Sequence, residues 1–323
     1  MANPASPVAV AILDDYLDAA LGLADWNALA DVAPVVAFPD HLEDLDALVE
    51  RLEPFNVIVA MRERTPFPRQ LLARLPKLKL LVTTGMSNTS IDLAAASELG
   101  IVVEGTPLAH QQTAELTWAL VMAVVRNVVI EDRALRDGRW QTELGIELEG
   151  STLGLLGLGR LGRIVAGYGI SFGMSVVAWS EHLDPVVARE LGVEPVERDE
   201  LFARSDVVSV HLRLSDRTRG LVGARELELL GPRGYIVNAA RGPIIDEGAL
   251  VAALHSGTIA GAALDVYDVE PLPADHPLRF TPRTTLTPHI GFVAERSYRE
   301  AYGAAATGIR AWLDGSPPRQ LNG

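Results

Sequence analysis

A chain of 323 residues is too long for one ordinary domain, and two domains are the natural division. Hydrophobic residues make up 48% and charged residues 22%, the balance of a globular protein with ample core, while a formal net charge of -14 argues against general affinity for nucleic acid or an anionic membrane. The absence of cysteine excludes disulfides, thiolate metal sites and a cysteine nucleophile, so no metal is expected and a cytoplasmic location fits.

The apolar run Val8–Leu13 stops at Asp14 and Asp15 with no basic segment ahead of it, which reads as a first strand and not a signal peptide. Further short apolar runs follow at Val32–Phe38, Val57–Met61, Leu80–Thr83 and Ile101–Val103. Between them, Leu42–Leu52 and Ile91–Leu99 have helical spacing of apolar residues. Such alternation predicts βαβ units and a parallel sheet. A long helix is predicted from Gln111 to Asp137, ended by Gly138. Its apolar part, Leu116 to Ile130, is interrupted by Arg126 and Asn127 and falls short of the roughly 18 apolar residues a membrane helix needs, so it reads as buried.

A second βαβ series opens with the strand Thr152–Leu156, the turn Gly157–Gly162 and a helix Arg163–Phe172. Strands are predicted again at Val176–Trp179, Val207–His211, Tyr235–Asn238, Gly261–Asp265 and Thr284–Leu286. Glu295–Leu313 reads as a last helix, and Gly315–Gly323 as a loose tail.

The turn has the form G-x-G-x-x-G, a weak signal alone among 28 glycines, but here it follows a strand and opens a helix. Gly157 permits the tight turn, Gly159 lets backbone approach a pyrophosphate, and Gly162 allows helix to pack on strand. The helix N-terminus then offers free N–H groups to phosphate. An acid near 20 residues on serves the adenosine ribose in this arrangement, and Ser180 and Glu181 stand 18 and 19 residues after Gly162. Glu181 as an ordinary surface residue is the plainer alternative.

Three later strand ends carry polar residues where ligands bind in open parallel sheets: Asn238–Gly242, Leu264–Pro271 and Thr287–Gly291. Arginine suits a carboxylate, histidine delivers a proton to an alkoxide, and a carboxylate beside that histidine favours its imidazolium form. Each residue alone has a structural explanation; their concentration downstream of a dinucleotide fingerprint points to reduction of a 2-oxo acid.

Nearly the whole chain resembles the D-isomer-specific 2-hydroxyacid dehydrogenase family, which includes phosphoglycerate dehydrogenase and glyoxylate/hydroxypyruvate reductase. The resemblance rests on Gly154–Gly162 (GLLGLGRLG), Val237–Leu250 (VNAARGPIIDEGAL), Ala260–Pro271 (AGAALDVYDVEP) and Thr287–Gly291 (TPHIG), in the family's order and spacing. It implies two Rossmann-like α/β domains with parallel sheets, the cofactor domain (residues 105–289) inserted into a discontinuous substrate domain (1–104 and 290–323). It implies Arg241 on the substrate, His289 as acid/base, Glu270 as its partner and Asp265 at the nicotinamide carboxamide. Arg160 and Leu161 would lie at the pyrophosphate, His211, Leu212 and Ala239 would line the cofactor cleft, and Thr113 would border the nicotinamide. Gly85, Met86 and Ser87, in Thr83–Asn88, match the family's substrate loop, with Arg62 a second charge there.

The expected cofactor is NAD, with NADP left open because Ser180 stands where many relatives carry Asp. The expected partners are a small 2-oxo or 2-hydroxy acid and a second copy of the chain, through the arm Trp140–Leu148. The chain ends without the regulatory domain of some phosphoglycerate dehydrogenases, so serine feedback through such a domain is not expected. A phosphoglycerate dehydrogenase-type enzyme lacking that domain, and a non-catalytic dinucleotide sensor like the corepressors of this fold, stay open as alternatives. Glu270 stands where formate-oxidising relatives have Gln, which argues against that chemistry.

Overall fold

The computed structural model describes residues 8–29, 34–107, 111–316 and 319–322. The chain divides into two units, one formed by residues 1–109 and 294–323, the other by 110–293.

In the first unit five parallel strands run in the order β2-β1-β3-β4-β5, with β1 Val10–Ile12, β2 Val35–Ala37, β3 Val57–Ala60, β4 Leu80–Thr83 and β5 Val102–Gly105. Strands β1, β3 and β4 are buried throughout, which is why they read as unbroken apolar runs and not as alternating ones. Val10 is level with both Val35 and Val57, so the chain leaves β1 in one direction and returns on its other side at β3. Asp44 and Asp92 cap the helices Leu45–Leu52 and Leu93–Glu98 by accepting the amides of Ala47 and Ala95. The helix Glu295–Leu313 buries Tyr298, Ala301, Tyr302, Ala305 and Ile309, a stripe of helical period. Trp26 meets Tyr302 edge-on at a centroid distance of 6.3 Å, tying this C-terminal helix to the N-terminal segment.

The second unit holds seven parallel strands, ordered β12-β11-β10-β9-β6-β7-β8. These are β6 Thr152–Leu156, β7 Ser175–Trp179, β8 Glu194–Pro195, β9 Val207–Val210, β10 Tyr235–Asn238, β11 Gly261–Leu264 and β12 Thr284–Leu286. From β6 the chain builds outward to β7 and β8, then crosses back to β9 and continues the other way. The strand order therefore reverses between β6 and β9, the position at which open α/β sheets bind ligands. The hydrophobic core on one face is filled by Leu120, Val121 and Val124 of the helix Gln111–Val125 packed with Leu153, Leu155 and Val165.

Several elements differ from the sequence-based expectation. The long helix is two, Gln111–Val125 and Val128–Arg136, bent by 60° where Asn127 takes a left-handed backbone (φ 54°). Among the described residues no single helix is long and apolar enough to cross a membrane. The helix after the glycine turn begins at Arg160, three residues early, because Gly159 serves as its N-cap. Val32 lies outside the described residues, and the strand there covers Val35–Ala37. The described part of the tail is tied down: the Leu321 amide donates to the Val103 carbonyl, and Asn322 bonds Val103 and Ile101 through its side chain.

The breaks between units lie past the expected 104/105 and 289/290 for a physical reason. Thr106 bonds the end of β4 through its amide and receives the Gly85 amide, so the end of β5 belongs with the first sheet. The amides of Ile290 and Gly291 donate to Asp265, so the 287–291 loop belongs with the second.

Candidate active site

At the end of β6 the glycine turn is dictated by close backbone contacts. A Cβ on Gly162 would lie 2.2 Å from the Gly157 carbonyl oxygen, and one on Gly157 would lie 2.9 Å from the backbone of His211, at the end of β9. Gly157 also has φ 109°, open only to glycine. A Cβ on Gly159, by contrast, would meet nothing within 4 Å. Open space in front of Gly159 and an N-terminus without a side-chain cap leave the first amides of the helix Arg160–Ser171 facing room for an anion. These residues fit a dinucleotide pyrophosphate.

His211 and Leu212, half-buried, adjoin this turn from β9. Burial holds the His211 imidazole down to about 4, so it is neutral near pH 7, and Ser209 Oγ bonds its Nε2 at 3.0 Å. Ser180 and Glu181 follow β7, half-buried and exposed respectively. Glu181 pairs with Arg217 at 3.6 Å, a partner that the local sequence around Glu181 does not reveal.

Three strand ends carry the remaining chemistry of this unit. After β10, buried Asn238 accepts the Ala240 amide and donates to the Arg241 carbonyl, closing the turn that presents Ala239 and Arg241. Arg241 Nη1 donates to the Ala240 carbonyl at 2.7 Å. After β11, Asp265 is fully buried. Its carboxylate accepts Thr287 Oγ1 (2.6 Å) and the amides of Ile290 and Gly291 (both 2.8 Å), clamping the loop after β12. Burial raises the Asp265 pKa, and these donors oppose the rise. Within the clamped loop His289 has a left-handed backbone (φ 52°), a costly conformation for a side-chain-bearing residue that the Asp265 contacts sustain. Thr113 sits against Gly291: a Cβ on Gly291 would approach Thr113 Cγ2 at 3.2 Å.

His289 Nδ1 meets Glu270 Oε2 at 2.5 Å. Glu270 is oriented from behind by the Tyr267 amide on its other oxygen (2.9 Å). Burial disfavours the charged carboxylate, but the bond and charge of His289, the Tyr267 amide and the charge of Arg241 outweigh it and hold the Glu270 carboxyl below its usual range. With Nδ1 engaged, Nε2 is the nitrogen left to carry or take a proton.

In the first unit the expected substrate loop is a buried construction. Arg62 adopts φ 53°, its amide donates to Thr84 Oγ1 (2.9 Å), its guanidinium to the Thr84 carbonyl (3.3 Å), and its carbonyl accepts from Asn88 (2.6 Å). The guanidinium end of Arg62 lies where a Cβ on Gly85 would stand, 2.1 Å away, and Gly85 has φ 110°, a conformation that favours glycine. The Gly85 amide is already committed to Thr106 Oγ1 at 3.1 Å, which leaves Met86 and Ser87, both exposed, as the loop's outward residues. Asp14, 1% exposed, anchors the segment after Arg62: it accepts Thr65 Oγ1 (2.7 Å), pairs with His41 Nδ1 (2.7 Å), and its carbonyl accepts Arg64 (2.7 Å). The bond to Asp14, against the penalty of burial, raises the His41 pKa. Asp14, Thr65 and Thr106 were not singled out from the sequence, and Thr84 only as part of Thr83–Asn88, since they lie far apart in the chain and only the fold brings them together. Among the described residues no group of three or more His, Asp or Glu could hold a metal ion.

Residues 118–291 match the model of the NAD binding domain of D-isomer specific 2-hydroxyacid dehydrogenases. The chain belongs to that family. The dehydrogenase is 39% identical to a glyoxylate reductase of Aeropyrum pernix over 78% of each chain. It is 37% identical to a D-3-phosphoglycerate dehydrogenase of Methanocaldococcus jannaschii, over 84% of its own length but only 52% of that protein. A phosphoglycerate oxidoreductase structure from Vibrio cholerae O395 superposes with a TM-score of 0.90 at 35% identity, covering 96% of this chain and 100% of that one. The dehydrogenase is therefore an oxidoreductase of the CH–OH group that uses a nicotinamide cofactor.

Proposed function

We propose that the enzyme interconverts a small 2-oxo acid of the glyoxylate or hydroxypyruvate kind and its D-2-hydroxy acid, with NADH preferred over NADPH by a modest margin. The observation that carries the reading is the 2.5 Å contact of His289 with Glu270, on a loop clamped by a buried aspartate. A nicotinamide cofactor held at the Gly157–Gly162 turn would supply the hydride chemistry of the reduction. His289 Nε2 gives its proton to the developing alkoxide, and the adjacent Glu270 carboxylate stabilises the imidazolium that does so. In the oxidation the neutral imidazole takes that proton back. Arg241 binds the substrate carboxylate and polarises the carbonyl. In the other unit, Arg62 and the backbone of Met86 and Ser87 are the residues that the family resemblance assigns to the substrate. Asp265 acts first by holding the His289 loop; three donors leave it acceptor capacity for the nicotinamide amide.

The glyoxylate reductase relative of similar length supports the small substrate, as the chain spans about half of the phosphoglycerate dehydrogenase it matches. A homodimer belongs to the same proposal. Trp140 and Leu144 are 77% and 95% exposed on an arm beside exposed Leu135 and Val128, an apolar surface that a second copy would cover. Mixing the protein with NADH and glyoxylate, hydroxypyruvate, pyruvate or 3-phosphohydroxypyruvate, and following absorbance at fixed pH, tests the reading. Turnover of the small acids is expected. Cofactor binding with no turnover of any of them would mark a dinucleotide sensor instead.

A further inference from the structure

The ion pair between Arg217 and Glu181 joins loops from two strands that are not neighbours. Glu181 follows β7, Arg217 follows β9, and β6 with its glycine turn lies between those strands in the sheet. The pair thus reaches across the carboxyl end of β6, where the nucleotide of a doubly wound fold is held and where an acid after the next strand receives the adenosine ribose. No basic residue occurs in Ser180–Leu183 itself except His182.

The loop bearing Arg217 is ordered by its own hydrogen bonds. Thr218 Oγ1 accepts the Ser215 amide (2.8 Å) and donates to the Arg213 carbonyl (2.7 Å), while the Arg219 amide donates to the Ser215 carbonyl (2.9 Å). The Gly220 amide fastens the loop to the Pro243 carbonyl (2.8 Å). From this base the Arg217 side chain extends 70% exposed to Glu181, itself 58% exposed, at 3.6 Å. An exposed pair at that separation is weak, so little opposes its parting. A phosphate monoester beside it would bring up to two negative charges and oxygens that match the guanidinium fork. A cofactor with a free 2′-hydroxyl needs only the Glu181 acceptor, and Arg217 can remain paired.

We propose that Arg217 is the anchor for the 2′-phosphate of NADPH, and that its pairing with Glu181 lets one site accept both cofactors. The proposal rests on the reading of the glycine turn as the dinucleotide site. Direct binding tests it: NADH and NADPH are titrated into the wild type, Arg217→Ala and Glu181→Gln at one low ionic strength, with quenching of tryptophan fluorescence as the readout. Arg217→Ala is expected to weaken NADPH by about tenfold, the loss of one charge-assisted contact, and to leave NADH within about twofold. Glu181→Gln is expected to tighten NADPH and weaken NADH. The ratio of kcat/KM for the two cofactors should move in the same direction. Unchanged NADPH affinity in Arg217→Ala, or a wild type that binds NADH and not NADPH, overturns the proposal while the dinucleotide site stands. Failure of the wild type to bind either cofactor overturns the site reading and the proposal together.

Discussion

In the unit of residues 110–293 the candidate residues Arg241 and Glu270 have support within a few residues, while the loop of His289 is tied to Asp265 at the end of the preceding strand. Asn238 closes the turn that carries Arg241, Tyr267 orients Glu270, and Thr287, Ile290 and Gly291 secure the loop of His289 to Asp265. In the other unit Arg62 and Gly85 depend on Asp14, Thr65, Thr84, Asn88 and Thr106, drawn from the ends of four strands. The first arrangement is written largely in contiguous motifs, joined across β11 and β12 by Asp265, and the second exists only once β1, β3, β4 and β5 are side by side. Damage should differ accordingly: at the motifs it should strike the chemical step, and in the buried polar mesh it should strike stability and substrate binding.

The largest effect is expected at His289. His289→Ala removes the proposed proton donor, and kcat for reduction should fall roughly 10²–10⁴-fold, with NADH affinity little changed because the proposed pyrophosphate site is the glycine turn. Near-normal turnover would remove His289 from the mechanism. Arg241→Lys comes next. A lysine keeps the charge but loses the planar fork, and kcat/KM for the oxo acid should drop about 10- to 100-fold. Equal kinetics for the two enzymes would show that Arg241 does not hold the carboxylate.

Glu270→Gln should act mainly on pH dependence. The carboxyl of Glu270 is held below its usual range, so it is ionised throughout neutral pH and favours the protonated imidazole. Reduction needs that protonated form and fades as pH rises through the apparent pKa of the pair. Removing the negative charge should shift this falling limb to lower pH. A superimposable profile would show the two groups to be uncoupled.

The smallest effect on rate is expected from Thr65→Val, which strips the buried Asp14 carboxylate of one donor. Leaving that oxygen without its partner should cost about 1–3 kcal/mol of stability, seen as a lower Tm. The KM for the oxo acid should rise a few-fold while kcat and NADH affinity hold, and Thr65→Ser should restore KM. A loss of kcat matching that of the His289 variant would erase the contrast between the two units.

The amino-acid sequence by itself determined the alternation of buried strands and amphipathic helices, the glycine turn and the three polar strand ends. These are set by short-range rules: apolar runs for strands covered on both faces, glycine where backbones collide, and helix starts after capping residues. It did not reveal the kink at Asn127, because the polar pair Arg126-Asn127 is compatible with one continuous helix and only the left-handed backbone of Asn127 breaks it. Nor did it reveal the docking of 319–322 on β5, where one apolar residue, Leu321, packs on the core beside backbone and asparagine bonds, too short a signal to read from the sequence. The tertiary structure alone decided that Asp265 clamps the His289 loop, that Asp14 anchors Thr65 in the segment after Arg62, and that Arg217 faces Glu181. Each of these joins polar groups 22 to 51 positions apart in the chain, or farther than a local motif extends. A buried or bridging polar contact is fixed by where strands end in space, and local sequence pattern carries no record of that distance.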